Sequence, residues 1–169
     1  MKRYLRIDTP LGRMVAVEND SGLEALDFTD ARYARPIAPD WRHDPDSPRL
    51  RECARQLAEY FTGRRRGFEL ELAPDGTDFQ RRVWREIAGI PCGATISYSE
   101  LARRAGATGA ARAAGAATGR NPLAIVVPCH RVVGAAGALT GYAGGLARKR
   151  HLLSLEGALA PDLLAQAAA

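Results

Sequence analysis

Residues 97–118, SYSELARRAGATGAARAAGAAT, decide the fold of the second half of the chain. Ser97 followed three residues later by Glu100 is the pattern of a capping box, so a helix is predicted to begin here and to run through Arg104. A glycine-containing turn follows, and a second helix is predicted from about Gly109 to the end of the stretch. Two helices joined by so short a turn are typical of a helix-turn-helix.

The second of these helices is unusual because it carries almost nothing larger than a methyl group. Arg112 is its one long side chain, among alanines and glycines that include Ala110, Ala111 and Ala114. An ordinary helix is about 10–12 Å across, whereas the minor groove of DNA is only about 6 Å wide. If this helix binds DNA, its bareness predicts that it enters the minor groove and binds the backbone without reading base edges. The alternative is a helix kept small for close packing inside the protein.

A second motif lies downstream, in residues 124–134, AIVVPCHRVVG. It places Cys129 next to His130, and neighbouring residues of a regular strand point to opposite faces of the sheet. Pro128 cannot donate a ladder hydrogen bond, so the strand is expected to end here. The pair is then predicted to occupy a turn or a first helical turn, where a water can bridge the two side chains. Such a pair is either a nucleophile beside its base or a buried core thiol followed by a histidine.

Composition narrows the class of protein. The 169 residues suffice for one domain or two small ones, and the net charge of +5 favours a polyanionic partner, nucleic acid first. Nearly all of the positive charge is arginine, since Lys2 and Lys149 are the only lysines. The alternative is that these arginines only keep the protein soluble. Three cysteines without a CxxC motif fit a reducing cytoplasm, and no signal peptide or membrane span is expected. His43 and His151 are scattered, which argues against a metal site.

The first third of the chain is predicted to form a small β-sheet domain. Three short alternating or β-branched segments are separated by the turn signals TPLG and DSG. A helix is expected after Ser47, with proline at its first position and Cys53 on its apolar stripe. Residues 68–73, FELELA, are predicted to add one more strand. APDGT marks the boundary, so the predicted domains are residues 1–75 and residues 76–169.

The second domain is predicted to contain one more helix, within residues 144–157, GGLARKRHLLSLEG. Its spacing of apolar residues indicates one buried face. The side chains expected to point mostly inward are Leu146, His151, Leu152, Leu153 and Leu155.

Taken together, the motifs of the second half resemble one known family. IVVPCHRV is preceded by RNP and followed by GALTGYAGGL and LLSLEG, and FQRRVWREIAGIPCGATISYSELA lies upstream. In order and spacing these stretches resemble the O6-alkylguanine-DNA alkyltransferases over about residues 78–157. The resemblance implies an α+β or α/β fold, in which a small ribonuclease-H-like sheet domain packs on a helical domain with a winged-helix-like helix-turn-helix.

The same resemblance implies an activity. It is the irreversible transfer of the alkyl group, commonly methyl, from O6-alkylguanine and O4-alkylthymine in duplex DNA to Cys129, after the base has flipped out. Each protein molecule would react once. The implied partner is double-stranded DNA containing alkylated bases, bound through its minor groove. No cofactor, metal or membrane is implied, and we expect a monomer in the cytoplasm.

Roles for five catalytic residues follow from the resemblance. Cys129 would accept the alkyl group, His130 would act as its base through a bridging water, and Glu156 would orient the imidazole. Asn121 would brace the turn, while Tyr98 would assist the leaving guanine and crowd the DNA backbone. Since Glu156 ends a helix where a carboxylate is usually solvated, Glu156→Gln is expected to slow transfer without changing stability.

The resemblance also assigns the DNA-facing and pocket residues. Arg112 would fill the gap left by the flipped base, and the residues around it on the DNA-binding helix are Ala110, Ala111 and Ala114. The wall of the base pocket would be formed by Val132, Tyr142, Ala143 and Gly144. Ala143 stands where some relatives have serine, and Thr140 where some have glycine. These two departures affect the size of alkyl group that the pocket accepts, not the reaction.

Two other classes of protein share parts of this pattern. A non-catalytic DNA-binding module, either a regulator or a damage sensor, would use the helix pair, but a sensor lacks the acceptor cysteine. A Cys–His hydrolase would use the pair at Cys129 and His130, but it would turn over and would not need the helix pair. The mass of the protein after incubation with alkylated DNA separates the three.

Overall fold

The computed structural model describes residues 1–159, which fall into two compact units. The first unit comprises Met1–Asp75 together with Pro122–Ala124. The second comprises Gly76–Asn121 and the chain from Ile125 onward.

Local sequence signals build the sheet of the first unit. Asn19 closes one hairpin, because its side-chain oxygen accepts hydrogen bonds from the backbone N–H groups of Ser21 and Gly22. The sheet has the order β3-β2-β1-β4, with β1, β2 and β3 antiparallel and β4 parallel to β1. The strands are β1 (Arg3–Thr9), β2 (Gly12–Asn19), β3 (Gly22–Phe28) and β4 (Arg42–His43).

A short segment from later in the chain joins this sheet. The backbone N–H of Leu26 donates to the carbonyl of Pro122 at 2.7 Å, and that of Ala124 donates to Leu26 at 2.9 Å. Pro122–Ala124 therefore belongs to the first unit, although it immediately precedes the Cys–His motif in sequence.

Helix α1 (Pro48–Phe61) forms as predicted. The Ser47 hydroxyl accepts the backbone N–H of Leu50 at 3.3 Å, and proline occupies the first turn, where its missing donor is not needed. Cys53 lies on the buried face and is fully buried, so its prediction as a core residue is confirmed.

The predicted strand over residues 68–73 is wrong. The backbone of Glu69 is bound by the side chain of Gln56, which donates to its carbonyl at 3.1 Å and accepts its N–H at 2.9 Å. These backbone groups are consequently not available for a ladder of strand hydrogen bonds. The segment keeps only an isolated bridge, between Leu72 and Leu23.

The second unit is mainly helical. It contains α2 (Asp78–Ala88), β5 (Ile96–Ser97), α3 (Tyr98–Arg104), α4 (Ala111–Gly119), β6 (Val132–Val133) and α5 (Leu146–Leu155). The pair α3 and α4 is the predicted helix-turn-helix, and β5 and β6 form a two-stranded parallel sheet. In that sheet Ile96 pairs with Val132, which places the start of α3 beside the segment that follows the Cys–His motif.

Only half of the predicted capping box forms at α3. The Ser97 hydroxyl accepts the Glu100 backbone N–H at 3.1 Å, but the Glu100 carboxylate binds Arg103 and Arg104 instead of returning to the cap. The complete capping box lies at the start of α2, between Thr77 and Gln80, where the sequence TDFQ carries the same spacing.

Helix α5 differs from its predicted pattern. Leu152 and Leu153 are fully buried, as expected, but His151 is exposed, and Leu146 and Leu155 are 38% and 37% exposed. The unexpected inward residue is Lys149, which is fully buried. Its amine reaches backbone carbonyls inside the second unit, which compensates for removing an ammonium group from water.

Candidate active site

The nucleophile motif forms a tight turn, as the proline predicted. Cys129–Arg131 is a single turn of 3-10 helix, preceded by Pro128 at φ −81° and ψ 66°. These angles are those of an inverse γ-turn, and the Cys129 backbone N–H donates to the Val127 carbonyl at 2.8 Å. The predicted strand before Pro128 does not form, because residues 124–127 already turn and Ile125 has a positive φ, but the predicted turn at Cys129 does. Cys129 is only 7% exposed.

Asn121 lies against this turn. Its side-chain amide donates to the Val127 carbonyl at 2.8 Å, the same oxygen that accepts the Cys129 N–H. Between them Ile125 adopts φ 72°, a left-handed conformation that a β-branched residue rarely takes and that costs free energy. Such strain persists only where the surroundings fix the chain, and the Asn121 hydrogen bond is one of these constraints.

His130 and Glu156 form a buried pair. His130 is fully buried, and its Nε2 lies 2.7 Å from Oε1 of Glu156. An ionised carboxylate only accepts hydrogen bonds, so Nε2 carries the proton and Nδ1 is the basic nitrogen of the neutral ring. Nδ1 is buried and has no hydrogen-bond partner within residues 1–159. Burial lowers the pKa of His130, and this effect outweighs the neighbouring carboxylate, which acts to raise it.

Arg131 completes a buried cluster that the sequence analysis missed. Its Nε donates to Glu156 Oε2 at 2.9 Å, and its Nη2 donates to Oε1 at 2.9 Å. Its Nη1 donates to the Ile90 carbonyl at 2.6 Å. The only signal in the sequence was its position directly after the Cys–His pair, and an arginine there is equally consistent with a surface charge.

Lys149 is the second residue that the sequence analysis missed. Its amine donates to the carbonyls of Val132 at 2.6 Å, Thr140 at 2.9 Å and Gly141 at 3.1 Å. Burial lowers the pKa of Lys149 to about 8, and Cys129, when ionised, acts in the opposite direction. A signal was present, because Lys149 is one of only two lysines in a chain rich in arginine, and lysine offers three donors on one compact charge.

The predicted pocket residues lie on two segments that Lys149 joins. Val132 is fully buried on β6, directly after the nucleophile turn. The other segment is a turn closed by a hydrogen bond from Gly145 N–H to the Tyr142 carbonyl at 2.9 Å, and it leads into α5. The half-buried residues of this turn are Tyr142, Ala143 and Gly144.

Tyr98 links the helix pair to the pocket turn. Its hydroxyl donates to the Thr140 carbonyl at 3.4 Å, and the Lys149 amine lies 5.9 Å from the centre of its ring. A Cβ placed on Gly115 of α4 would stand 3.7 Å from the ring, an ordinary contact distance, so α4 and the Tyr98 ring lie next to each other. Burial raises the pKa of Tyr98, the hydrogen bond to Thr140 opposes this, and Cys129, when ionised, adds a smaller upward contribution.

Helix α4 presents a bare exposed face. Arg112, Ala113 and Ala116 are exposed, and Ala110 and Ala111 are half-buried. Arg112 is accordingly the one long side chain on a surface of methyl groups, which is the arrangement that the sequence predicted.

The assignment of Ala114 to the DNA-facing surface is wrong. Ala114 is fully buried, because α4 packs its opposite face inside the second unit. On that face the Trp84 indole N–H donates to the Ala117 carbonyl at 2.8 Å, and the Thr118 hydroxyl donates to the Ala114 carbonyl at 2.7 Å. Small residues on α4 thus serve both readings of the sequence, close packing on one face and a bare surface on the other.

Residues 1–159 contain neither a cluster of metal ligands nor a membrane-spanning helix. Within this range no cluster of three or more His, Cys, Asp or Glu side chains is arranged to hold a metal ion. None of the described helices has the length and apolarity needed to cross a membrane.

Comparison with known proteins identifies the family. Residues 78–158 match the model for the DNA-binding domain of 6-O-methylguanine DNA methyltransferase, and residues 2–74 match that for its ribonuclease-like domain. A methylated-DNA–protein-cysteine methyltransferase of Methanosarcina barkeri is 47% identical over 90% of this chain and 96% of its own. One from Mycobacterium tuberculosis strain H37Rv is 47% identical over 95% of this chain and 96% of its own.

Solved structures agree. The crystal structure of Mycobacterium tuberculosis OGT in complex with DNA superposes with a TM-score of 0.85 at 46% identity, covering 96% of this chain and 97% of that one. The predicted α+β fold, with a ribonuclease-like sheet domain and a helical domain, is therefore confirmed. The chain belongs to the 6-O-methylguanine DNA methyltransferase family, the DNA-repair enzymes that move an alkyl group from DNA to a cysteine of the protein.

Proposed function

We propose that this protein repairs DNA by transferring the alkyl group of O6-alkylguanine, and of O4-alkylthymine, to Sγ of Cys129. The observation that carries the proposal is the Cys129–Arg131 turn, whose histidine is hydrogen-bonded at 2.7 Å to the buried carboxylate of Glu156. A nucleophilic cysteine needs an adjacent base, and that base needs a third group to orient it. The three groups are supplied here by residues 129, 130 and 156.

The reaction begins with the thiol proton. It passes through a bridging water to Nδ1 of His130, which is the basic nitrogen because Nε2 donates to Glu156. The thiolate then attacks the alkyl carbon, so a C–S bond forms as the bond from that carbon to O6 of guanine breaks. The product is a thioether, which no group in the site can hydrolyse, and each molecule of protein is therefore used once.

Tyr98 serves the leaving base. The raised pKa keeps its hydroxyl protonated until negative charge develops on guanine, and it then donates a hydrogen bond and a proton. The proton held by His130 is returned to the tyrosinate through solvent. One thiol proton is thus lost and one guanine proton gained, which balances the transfer.

Access to the damaged base requires that it leave the duplex. Extrusion costs a few kcal/mol, and less for a mispaired lesion. Arg112, exposed on the bare face of α4, would fill the vacated space in the stack. The neighbouring methyl groups of Ala113 and Ala116 allow this face to enter the minor groove and bind the backbone. The Mycobacterium tuberculosis relative has been crystallised with DNA, which supports the same partner here.

Monomeric action in the cytoplasm completes the proposal. Nucleophile, base and carboxylate all belong to the second unit of one chain, so no second copy is required to assemble the site. The three cysteines are thiols and not disulfides, in keeping with a reducing compartment.

The test is the mass of the intact protein after incubation with duplex DNA containing O6-methylguanine, followed by peptide mapping. We expect one added methyl group per chain, on Cys129, and none in Cys129→Ser. Cys53 is the matched control site, because burial raises its pKa to about 12 and leaves it without thiolate. Repeated turnover without a mass change would indicate a hydrolase, and tight binding without a mass change a damage sensor.

A further inference from the structure

The guanidinium of Arg131 is buried beside the His130–Glu156 pair, although the reaction described above gives it no part. It is 6% exposed and holds both oxygens of Glu156, the carboxylate that also binds His130. Two parallel hydrogen bonds of this kind fix the plane of a carboxylate as well as its position. The remaining arm of the guanidinium is anchored on the Ile90 carbonyl, so the clamp itself has a fixed orientation.

The consequence for His130 is geometric. Oε1 of Glu156 accepts from both Nε2 of His130 and Nη2 of Arg131, at 2.7 Å and 2.9 Å. With the carboxylate plane fixed by Arg131, the line from Oε1 to Nε2 sets the rotation of the imidazole, and hence the direction of Nδ1. A carboxylate held by a single hydrogen bond would leave that rotation free.

The clamp also acts on the charge of the site. A carboxylate beside an imidazole normally favours the protonated ring, but Arg131 offsets the charge of Glu156. Burial is the largest influence on the pKa of His130 and lowers it; of the charged groups, Glu156 raises that pKa, and Arg131 and Lys149 lower it. His130 is therefore held neutral, which is the state a base must have before it accepts a proton.

We propose that Arg131 is a positioning residue for alkyl transfer: it fixes the Glu156 carboxylate and offsets its charge, so that His130 presents a neutral, oriented Nδ1 to Cys129. This inference rests on the proposed function for the rate measurements, but the coupling of Arg131 to His130 is testable without any alkyl transfer.

The experiment compares the wild-type protein with Arg131→Gln, which removes the positive charge and the paired hydrogen bonds to Glu156. Transfer from a free alkylated guanine is measured against pH, so that DNA binding does not enter. We expect the plateau rate to fall about tenfold or more, and the acid limb to move up by about one pH unit or more as Glu156 loses its neutralising partner. In parallel, the titration of His130 is followed by NMR, its signal identified by its absence in His130→Gln, and we expect the same upward shift.

Arg49→Gln is the matched control. Arg49 also pairs with a buried carboxylate, that of Glu18 at 3.0 Å in the first unit, so its loss removes a similar ion pair away from the nucleophile. We expect the control to leave the pH profile unchanged. A lower plateau in Arg131→Gln without a shift of the acid limb or of the His130 signal would make Arg131 merely structural and overturn the proposal.

A double variant keeps the proposal falsifiable if Arg131→Gln does not fold. Replacing both partners, as Arg131→Met with Glu156→Gln, removes the buried ion pair without leaving either charge unpaired. If Arg131 acts through Glu156, the double variant transfers at the rate of Glu156→Gln alone. A rate well below that would show an independent route and refute the proposal. Failure of the wild-type protein to alkylate Cys129 would instead contradict the proposed function, leaving the NMR result to decide the Arg131 coupling.

Discussion

Helix α4 offers a direct test of which face is bare and which is packed, using one substitution at two neighbouring positions. Ala114→Leu adds three carbon atoms at a fully buried site. Ala116→Leu adds the same atoms on the exposed face, one helical turn from Arg112. Leucine is nearly as good a helix former as alanine, so propensity does not separate the two variants.

The expected magnitudes follow from burial. Forcing extra methylene groups into a packed interior costs about 1–3 kcal/mol. For a chain of this size, 1 kcal/mol lowers the melting temperature by about 2–4 °C, so Ala114→Leu should lower it by about 2–12 °C. Ala116→Leu should change the melting temperature by no more than about 2 °C, since exposed substitutions usually lie within ±0.5 kcal/mol. Because a leucine does not fit a groove about 6 Å wide beside the helix, Ala116→Leu should weaken DNA binding by about tenfold or more.

The assays are thermal unfolding and fluorescence-anisotropy titration with an undamaged duplex, at a salt concentration held constant because phosphate contacts depend on it. Below its melting temperature Ala114→Leu should bind DNA nearly as well as the wild-type protein. Wild-type affinity in Ala116→Leu would show that the exposed face of α4 does not enter the groove. An unchanged melting temperature in Ala114→Leu would refute the packing argument.

Four further outcomes are expected. Arg112→Ala should slow repair in duplex DNA far more than reaction with a free alkylated guanine, because the free base needs no extrusion. Equal losses in the two rate assays would contradict the proposal that Arg112 fills the space left by the flipped base. Glu156→Gln should slow transfer and, contrary to the expectation from sequence, also destabilise the fold by about 3–5 kcal/mol in thermal unfolding, since it leaves the buried Arg131 guanidinium unpaired. The lowered pKa of His130 means that the unfolded chain takes up its proton first, so stability should fall as pH drops below about 6.5, and His130→Gln should flatten that slope in urea unfolding. Ser47→Ala should lower stability by about 1 kcal/mol or more through loss of the α1 cap, with transfer from the free base unchanged.

Structural features whose sequence signal lies within a few residues of them could be predicted from the sequence. Ser47 with the following proline begins α1, the glycine-containing turn separates α3 from α4, and Pro128 leads into the tight turn at Cys129. Each acts on neighbouring backbone, through a cap, a turn or a missing donor, so no distant partner is needed to read it. The assignment of Cys129 and His130 as nucleophile and base also starts from adjacent residues, and it stays a prediction.

What the tertiary structure decided depends on partners far apart in the chain. Glu69 does not join a strand because Gln56 takes its backbone groups, and α4 buries Ala114 while exposing Ala116 because only one of its faces meets the rest of the second unit. No motif in the sequence points to the partners of Arg131 or Lys149, yet Arg131 clamps Glu156 and Lys149 binds three carbonyls. A buried charge is stable only where its partners converge, and that convergence is fixed by packing, not by spacing along the chain.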